Sequence, residues 1–453
     1  MSPRSINPDR KETAPKGYGS VAWGGGSKYV SFEMTRPPVY LDYAATTPVR
    51  PEVLEAMLPY LTAQSFGNPS SAHRFGRAAR AGIEQARRQV AEAVGGEPNQ
   101  VIFTSGGTEA DNLGIVGAAL AARDRGAAMC AAVSAIEHKA VLAAAHAVCH
   151  LGGREVILPV DAGGQLDLDA LDAALAEKPA VVSVMWVNNE VGVIQPVLEI
   201  AGRCRDAAVT FHTDAVQALG KVPVSVAKLS CTLLTISGHK IGAPKGIGAL
   251  IVRDRKAVEA IIHGGGQQFG IRPGTENVAG AVALGRAAQL AASEQASLAE
   301  RLCGLRNELA ARLKAAVTGL VVTAEQSVRA PHLLSVAVPG ADSEALLMHL
   351  DLAGIAASSG SACSTGAVEP SHVLLAMGVP HDLALGAIRF SLGRESAPED
   401  IERAEEVVPA VVAKVRKLAG VLGRAGGTRE GGKEGISSSS TVPSFRRSAG
   451  GGQ

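Results

Sequence analysis

Residues 233–246 read LLTISGHKIGAPKG, and the interpretation of the whole chain starts from this stretch. Its first four residues are apolar or β-branched and predict a buried strand, which is followed at once by Ser237, Gly238, His239 and Lys240. Lysines prefer solvent, whereas a partly desolvated lysine has a lowered pKa and can form a Schiff base. Taken alone, a solvated surface lysine is the more common explanation of Lys240.

Similar strands recur on both sides of this stretch. They are predicted at 101–104, 181–187, 209–212 and 248–252, and Ala-rich segments of helical composition lie between several of them. Near-continuous apolar strands that alternate with helices favour an α/β fold with a mainly parallel sheet covered on both faces. Ligands of open α/β sheets bind at the carboxyl ends of the strands, so the residues just after each strand are candidates for chemistry.

Two of these strands are followed by polar residues that suit a cofactor. Gly106, Gly107 and Thr108 could cradle an anion at a helix N-terminus, although an ordinary turn with a Ser/Thr cap explains them as well. Asp214 could pair with a cationic ring nitrogen and keep it protonated, or it could cap a helix. An anion cradle, a carboxylate and the imine-forming Lys240 on successive strand ends together match the needs of pyridoxal phosphate.

The composition is typical of a soluble globular protein. The chain has 453 residues, of which 46% are hydrophobic, and 44 Lys and Arg residues face 43 Asp and Glu residues, for a formal net charge of +1. A nucleic-acid binder needs an excess of basic residues, and the charge balance gives no attraction to an anionic membrane. We see no secretory signal pattern and no apolar stretch suited to a bilayer, so we expect neither nucleic acid nor membrane as a partner.

The six cysteines are scattered rather than paired in motifs. They are Cys130, Cys149, Cys204, Cys231, Cys303 and Cys363. The absence of a C-x-x-C pair indicates no zinc or redox motif. Buried thiols in a reducing compartment explain most of them, so we expect a cytoplasmic protein without a resident metal.

The chain is too long for one compact core. Residues 1–38 and 426–453 mix Gly, Ser, Pro and charges, and we predict disorder for both. Between them we predict a large pyridoxal-phosphate-binding domain over 39–285, whose first residues could join the second domain. The second, a small α+β domain over 286–425, would carry Cys363.

At this density of motifs the sequence resembles a known family, the class V aminotransferase-fold enzymes, and within it the cysteine desulfurases of the NifS/IscS type. The matching stretches fall in family order over about Val39 to Leu422. They are LDYAATTP (41–48), GNPSS (67–71), FTSGGTE (103–109), EHK (137–139), NNEVG (188–192), DAVQ (214–217), SGHK (237–240), HGGG (263–266), RPGT (272–275), SSGSAC (358–363) and RFSLGR (389–394).

The resemblance implies a pyridoxal-phosphate-dependent transferase fold of type I, with a mainly parallel seven-stranded sheet in the large domain. It also implies roles around the cofactor. Lys240 would bind pyridoxal phosphate covalently, Asp214 would pair with the ring nitrogen, Gln217 would contact the ring oxygen, and His138 would stack on the ring and move protons. The residues expected at the phosphate are Gly107, Thr108, Ser237, His239 and, reaching across a homodimer, Thr275 of the other subunit.

The resemblance further implies the reaction, L-cysteine to L-alanine. Asn189, close to the cofactor, and Arg389 would hold the substrate carboxylate, Arg389 as a bidentate fork. The thiolate of Cys363 would attack the substrate sulfur and keep it as a persulfide. An iron–sulfur scaffold protein or another sulfur acceptor would then receive it. The resemblance is also compatible with transient ligation of an iron–sulfur cluster by Cys363.

Two alternatives stay open at the level of sequence. Selenocysteine lyases share the fold, the cofactor and most motifs, and a non-catalytic partner-binding homologue would belong to another functional class. Three positions depart from the family pattern. Ala243 replaces a usual Gly, which costs little unless its φ is positive, and Gln268 and Phe269 stand where an acidic and often a basic residue are common.

Overall fold

The structure, a computed structural model, describes residues 37–229, 233–359 and 369–426, with side chains described up to residue 420. The predicted disordered segments 1–38 and 426–453 lie outside these ranges except at their inner ends, and Cys231 and Cys363 lie outside them as well.

The strands alternate with helices along most of the described chain. The strands are β1 (Val39–Tyr40), β2 (Val101–Thr104), β3 (Cys130–Ser134), β4 (Arg154–Leu158), β5 (Val181–Ser183), β6 (Thr210–Asp214), β7 (Leu233–Ser237), β8 (Gly248–Val252), β9 (Val321–Val322), β10 (Leu333–Ala337), β11 (Ile355–Ala356) and β12 (Ala387–Ser391). The helices are α1 (Pro51–Met57), α2 (Arg74–Ala93), α3 (Gly107–Asp124), α4 (Lys139–His150), α5 (Leu168–Ala176), α6 (Val197–Asp206), α7 (Val226–Leu229), α8 (Val278–Ala316), α9 (Ser343–Leu352), α10 (His372–Ala376), α11 (His381–Ala384) and α12 (Pro398–Gly426).

The predicted seven-stranded, mainly parallel sheet is confirmed. Its strand order is β2-β8-β7-β6-β5-β3-β4, and the neighbours from β7 to β4 are all parallel. Only β8 runs against the others, because it pairs antiparallel with both β7 and β2. Helices α3, α4 and α6 pack directly on the strands. Residues of β2, β3, β5, β7 and β8 are consequently buried throughout, as expected for strands covered on both faces.

A second apolar cluster forms around the smaller sheet β12-β10-β9. Strands β10 and β12, together with α9, α12 and the C-terminal half of α8, supply its side chains. The parallel pairing of Val39 and Tyr40 with β11 joins the first described strand to this cluster. The domain boundaries themselves stay a prediction.

Helix α8 connects the two clusters. The sequence left open one helix or two from about 281 to 316, and the structure has one, of 39 residues. At 1.5 Å per residue it is about 58 Å long. Its buried residues fall at 279–288 and again at 302–313, so each end belongs to a different cluster and the predicted boundary at 285/286 lies inside it. None of the helices in the described part of the chain combines the length and apolarity that a bilayer span requires.

Candidate active site

A cavity of about 370 Å³ opens where the parallel strands end, and most of the predicted site residues line it. Ten of the twelve do so: Gly107, Thr108, His138, Asn189, Asp214, Gln217, Ser237, His239, Lys240 and Arg389. Thr275 is exposed and does not line the cavity of its own chain. Cys363 lies outside the described residues.

Lys240 sits in a short 3-10 turn directly after β7. Its Nζ donates hydrogen bonds to the carbonyl oxygens of Ala44, at 2.5 Å, and Ala45, at 2.8 Å. Burial, reinforced by the nearby positive charge of Arg389, lowers the pKa of the Lys240 amine to about 8. An appreciable fraction of this amine is therefore neutral near physiological pH, as a nucleophilic lysine requires.

Asp214 ends β6 with its carboxylate in the cavity wall. It is 5% exposed, and its Oδ1 accepts a hydrogen bond from the Val216 N–H at 2.8 Å. Burial raises the pKa of Asp214, whereas the hydrogen bond from the Val216 N–H and the positive charge of Lys240 lower it. A cation placed against this carboxylate would offset the cost of its burial.

The N-terminus of α3 forms one wall of the cavity. The helix begins at Gly107 after the extended Gly106, and no side chain caps it, so its first N–H groups are available to an anion. A Cβ at Gly107 would come within 3.1 Å of Val216 Cγ2 and 3.5 Å of Ser237 Cβ. A larger residue at this position would therefore need the Val216 side chain to shift by a few tenths of an ångström.

His239 lies in the same wall in a neutral state. Burial, followed by the charges of Lys240 and Lys245, lowers its pKa to about 4. Its Nδ1 lies 3.2 Å from the Thr46 hydroxyl. A neutral imidazole can still donate one N–H to an anion.

His138 caps α4 at the edge of the cavity. Its Nδ1 accepts a hydrogen bond from the Ala140 N–H at 3.1 Å. In the neutral imidazole this contact assigns the proton to Nε2. His138 is thereby held in one orientation by its own helix.

Arg389 approaches the cavity from β12 of the smaller sheet. One terminal nitrogen donates to the Asn189 carbonyl oxygen at 2.9 Å, and the other donates to Asp42 Oδ1 at 2.8 Å. Its buried Nε has no hydrogen-bond partner among the described residues. The guanidinium is therefore held in place at both terminal nitrogens, and it still has N–H groups that can donate to a carboxylate.

Two buried acids in the cavity wall were not among the predicted residues. Asp111 is 1% exposed, and both burial and the neighbouring Asp214 charge raise its pKa well above the usual range. Glu190 is 4% exposed and accepts a hydrogen bond from the Ser371 hydroxyl, and burial raises its pKa to about 7. Glu190 stood inside a quoted motif, whereas no sequence signal pointed to Asp111.

The departures from the family pattern have local explanations. Ala243 is buried and does not have a positive φ, so alanine fits where glycine is usual. Gln268 and Phe269 both have positive φ, at 47° and 61°. Gln268 is buried, and its Oε1 accepts hydrogen bonds from Arg87, at 3.3 Å, and from the Phe103 N–H, at 2.9 Å.

Comparison with known proteins agrees with this geometry. The class V aminotransferase family matches residues 39–404. A cysteine desulfurase IscS of Dictyoglomus turgidum is 43% identical over 381 residues, which is 84% of this chain and 96% of that protein. Among solved structures, a NifS-like protein superposes with a TM-score of 0.76 at 34% identity, over 85% of this chain and all of that one. SspA, solved in complex with cysteine, gives a TM-score of 0.69 at 32% identity, and the match covers 78% of this chain and 98% of SspA.

The fold and the matched family together define a class V aminotransferase-fold enzyme of the pyridoxal-phosphate-dependent type. Within this class the chain belongs to the cysteine desulfurases. The resemblance read from the motifs is thus confirmed, and selenocysteine lyase is not favoured.

Proposed function

We propose that this chain converts L-cysteine to L-alanine and retains the sulfur as a persulfide on Cys363. The reaction balances as L-cysteine plus the Cys363 thiol giving L-alanine plus the Cys363 persulfide. The observation that carries the proposal is the convergence of Lys240, Asp214 and the α3 N-terminus on one cavity.

The residues of this cavity fit pyridoxal phosphate. The uncapped helix start at Gly107, with Thr108, Ser237 and His239, would hold the phosphate. Asp214 is a buried carboxylate that a protonated ring nitrogen would stabilise.

The remaining contacts would orient the ring. Lys240 would hold the cofactor covalently, His138 would cover the ring face, and Gln217, whose amide donates to the Ala44 carbonyl oxygen at 2.9 Å, would lie beside the ring oxygen. When bound, the cofactor supplies an electron sink that labilises bonds at the substrate Cα and Cβ.

Arg389 and Asn189 would bind the substrate carboxylate. Arg389 is already fixed by Asp42 and by the Asn189 backbone, so little side-chain entropy remains to be lost when a carboxylate binds. The bound structure of SspA contains cysteine, which supports an amino acid of this size as the ligand of the related cavity.

Two residues are suited to move protons. Lys240, with its pKa lowered to about 8, can accept a proton from the substrate Cα and return it. His138, held through Nδ1, presents its protonated Nε2 as a proton donor.

Cys363 would take the sulfur. Its thiolate would attack the substrate sulfur as the bond to Cβ breaks. We further propose that the persulfide passes to an iron–sulfur scaffold protein or a related acceptor. The proposal places the enzyme in the cytoplasm, as a homodimer in which Thr275 contacts the other subunit's phosphate.

The test distinguishes the loss of cofactor binding from the loss of sulfur transfer. Cys363→Ser should keep the cofactor absorbance and bind cysteine but form no persulfide, whereas Lys240→Ala should lose the covalent cofactor band. Alanine release, sulfide release and absorbance would be measured together. Sulfide release by Cys363→Ser at the wild-type rate would overturn the role of Cys363, and a colourless wild-type protein would overturn the cofactor assignment.

A further inference from the structure

Three potential metal ligands lie on the last turns of α4, far along the helix from the cavity. His146, Cys149 and His150 occupy positions i, i+3 and i+4, so they project from one side of the helix. Glu155 on the edge strand β4 approaches the same place, with its Oε1 3.1 Å from His146 Nδ1.

The ligand atoms are already close together. One atom each of His146, Cys149 and Glu155 lies within 4.8 Å of the other two. The ring of His150 meets the ring of His146 edge to face, with centroids 4.9 Å apart. Bond lengths to zinc place the ligands of a tetrahedral site about 3.3–3.6 Å from one another. Small rotations would bring His146, Cys149 and Glu155 to these distances, whereas His150 has to move farther to supply the fourth ligand.

We propose that His146, Cys149, His150 and Glu155 form a surface binding site for a divalent zinc-type metal ion. Two imidazoles, a thiolate and a carboxylate are a donor set that Zn²⁺ accepts in a four-coordinate arrangement. The location also favours a cation, because the C-terminal end of a helix carries partial negative charge.

The four side chains are free to adjust to an ion. His146 is 61% exposed and Glu155 30% exposed, Cys149 is half-buried and His150 is exposed. No buried group has to lose water for the ion to enter. The expectation of no metal site rested on the missing C-x-x-C pair, and it did not consider ligands that the fold brings together from a helix and the adjoining strand.

This site is separate from the proposed catalytic centre. His138 caps the first turn of α4, and the nearest ligand on that helix, His146, lies two turns further on, about 12 Å along the helix axis. Zinc binding therefore does not depend on bound pyridoxal phosphate, and its failure would leave the proposed desulfurase activity untouched.

Equilibrium dialysis of the full-length holoenzyme against Zn²⁺, followed by metal analysis, tests the proposal. The wild-type chain should hold one equivalent that His146→Ala and Cys149→Ser each weaken by at least about tenfold. His150→Ala should weaken zinc binding as well, because it removes the fourth ligand, and unchanged binding would contradict its place in the site.

Matched controls are available elsewhere on the surface. His381→Ala removes another exposed histidine beside an acid, and Cys303→Ser removes another half-buried thiol, and both should bind zinc as the wild type does. Zinc should also raise the melting temperature of the wild type but not of the His146→Ala, Cys149→Ser double variant. Equal zinc binding and equal melting shifts in the double variant and the wild type would overturn the proposal.

Discussion

At the scale of single residues, the least expected feature is Glu190, an acid buried in the cavity wall. Its contacts explain how it is tolerated, since the Ser371 hydroxyl donates to it and the charges of Arg389 and Lys139 partly offset its burial. Its pKa of about 7 means that it titrates near physiological pH. A motif could not reveal this, because the burial is created by elements distant in sequence.

Glu190→Gln should change how stability depends on pH. The folded protein keeps a proton on Glu190 that the unfolded chain releases, so wild-type stability falls as the pH rises from 4.5, the ordinary pKa, to about 7. Glutamine removes this titration and can still accept from Ser371. The unfolding free energy of the variant should therefore gain up to about 3 kcal/mol on that of the wild type between about pH 4.5 and pH 7, which melting temperatures measured across this range would show. A constant difference across this range would contradict the assignment, and the exposed Glu402→Gln serves as the control.

The contacts of Gln268 predict that one substitution destabilises the fold and that a second substitution, at Glu276, restores its stability. Its amide donates to Glu276 while its oxygen accepts from the buried Arg87. Gln268→Glu keeps the acceptor but sets a second carboxylate against Glu276, so we expect a loss of about 1–3 kcal/mol in unfolding free energy. Adding Glu276→Gln restores a donor and should recover most of the loss, as measured by urea denaturation. An additive double variant would show that the two side chains do not interact.

At the scale of elements, the strand ends were predictable because parallel strands bring their carboxyl ends to one edge. Strands β2 and β8 begin and end where the apolar runs do. By contrast, the predicted strand over 181–187 ends at Ser183, although Val184 and Trp186 still donate backbone hydrogen bonds to carbonyl oxygens of β6. Strand β3, which reads CAAVS, was not predicted since its Ala-rich composition suits a helix and only burial in the sheet makes it a strand.

Helix α8 offers a test of whether the two apolar clusters unfold together. Its middle is poorly buried, and Ala296 is exposed there. Ala296→Pro should cost about 3 kcal/mol and split calorimetric unfolding into two transitions, because it interrupts the helix that joins the clusters.

Ala296→Gly is the matched control. It should cost about 1 kcal/mol and keep the wild-type transition shape, since it weakens the helix without breaking its hydrogen bonds. A single transition in the proline variant would argue that contacts outside α8 hold the clusters together.

At the scale of the whole molecule, the homodimer prediction assigns each site residues from two chains. If Thr275 contacts the phosphate of the cofactor in the other subunit, two variants should complement each other when their subunits are dissociated and mixed. One variant carries Lys240→Ala and the other carries Thr275→Val. About a quarter of all sites would then be intact, since half of the dimers are mixed and each contains one intact site.

The measurement is cofactor absorbance and alanine release after mixing, against each variant alone. Mixing Lys240→Ala with Asp214→Ala, two residues of the same site, should restore nothing, because every site in the mixed dimer then keeps one defect. Recovery of absorbance and alanine release in that control would contradict the shared site. Failure of the Lys240→Ala and Thr275→Val mixture to recover them would contradict it as well.

The cavity is lined by residues from both sheets, with Asp214 at the end of β6, Lys240 just after β7 and Arg389 on β12. The proposed cofactor contacts of Lys240 and Asp214 and the proposed substrate contact of Arg389 thus depend on different parts of the fold. During evolution, substitutions beneath β12 could retune which amino acid is accepted while the cofactor-binding half is inherited unchanged. Such an arrangement allows one ancestral chemistry to be passed to descendants that differ in substrate.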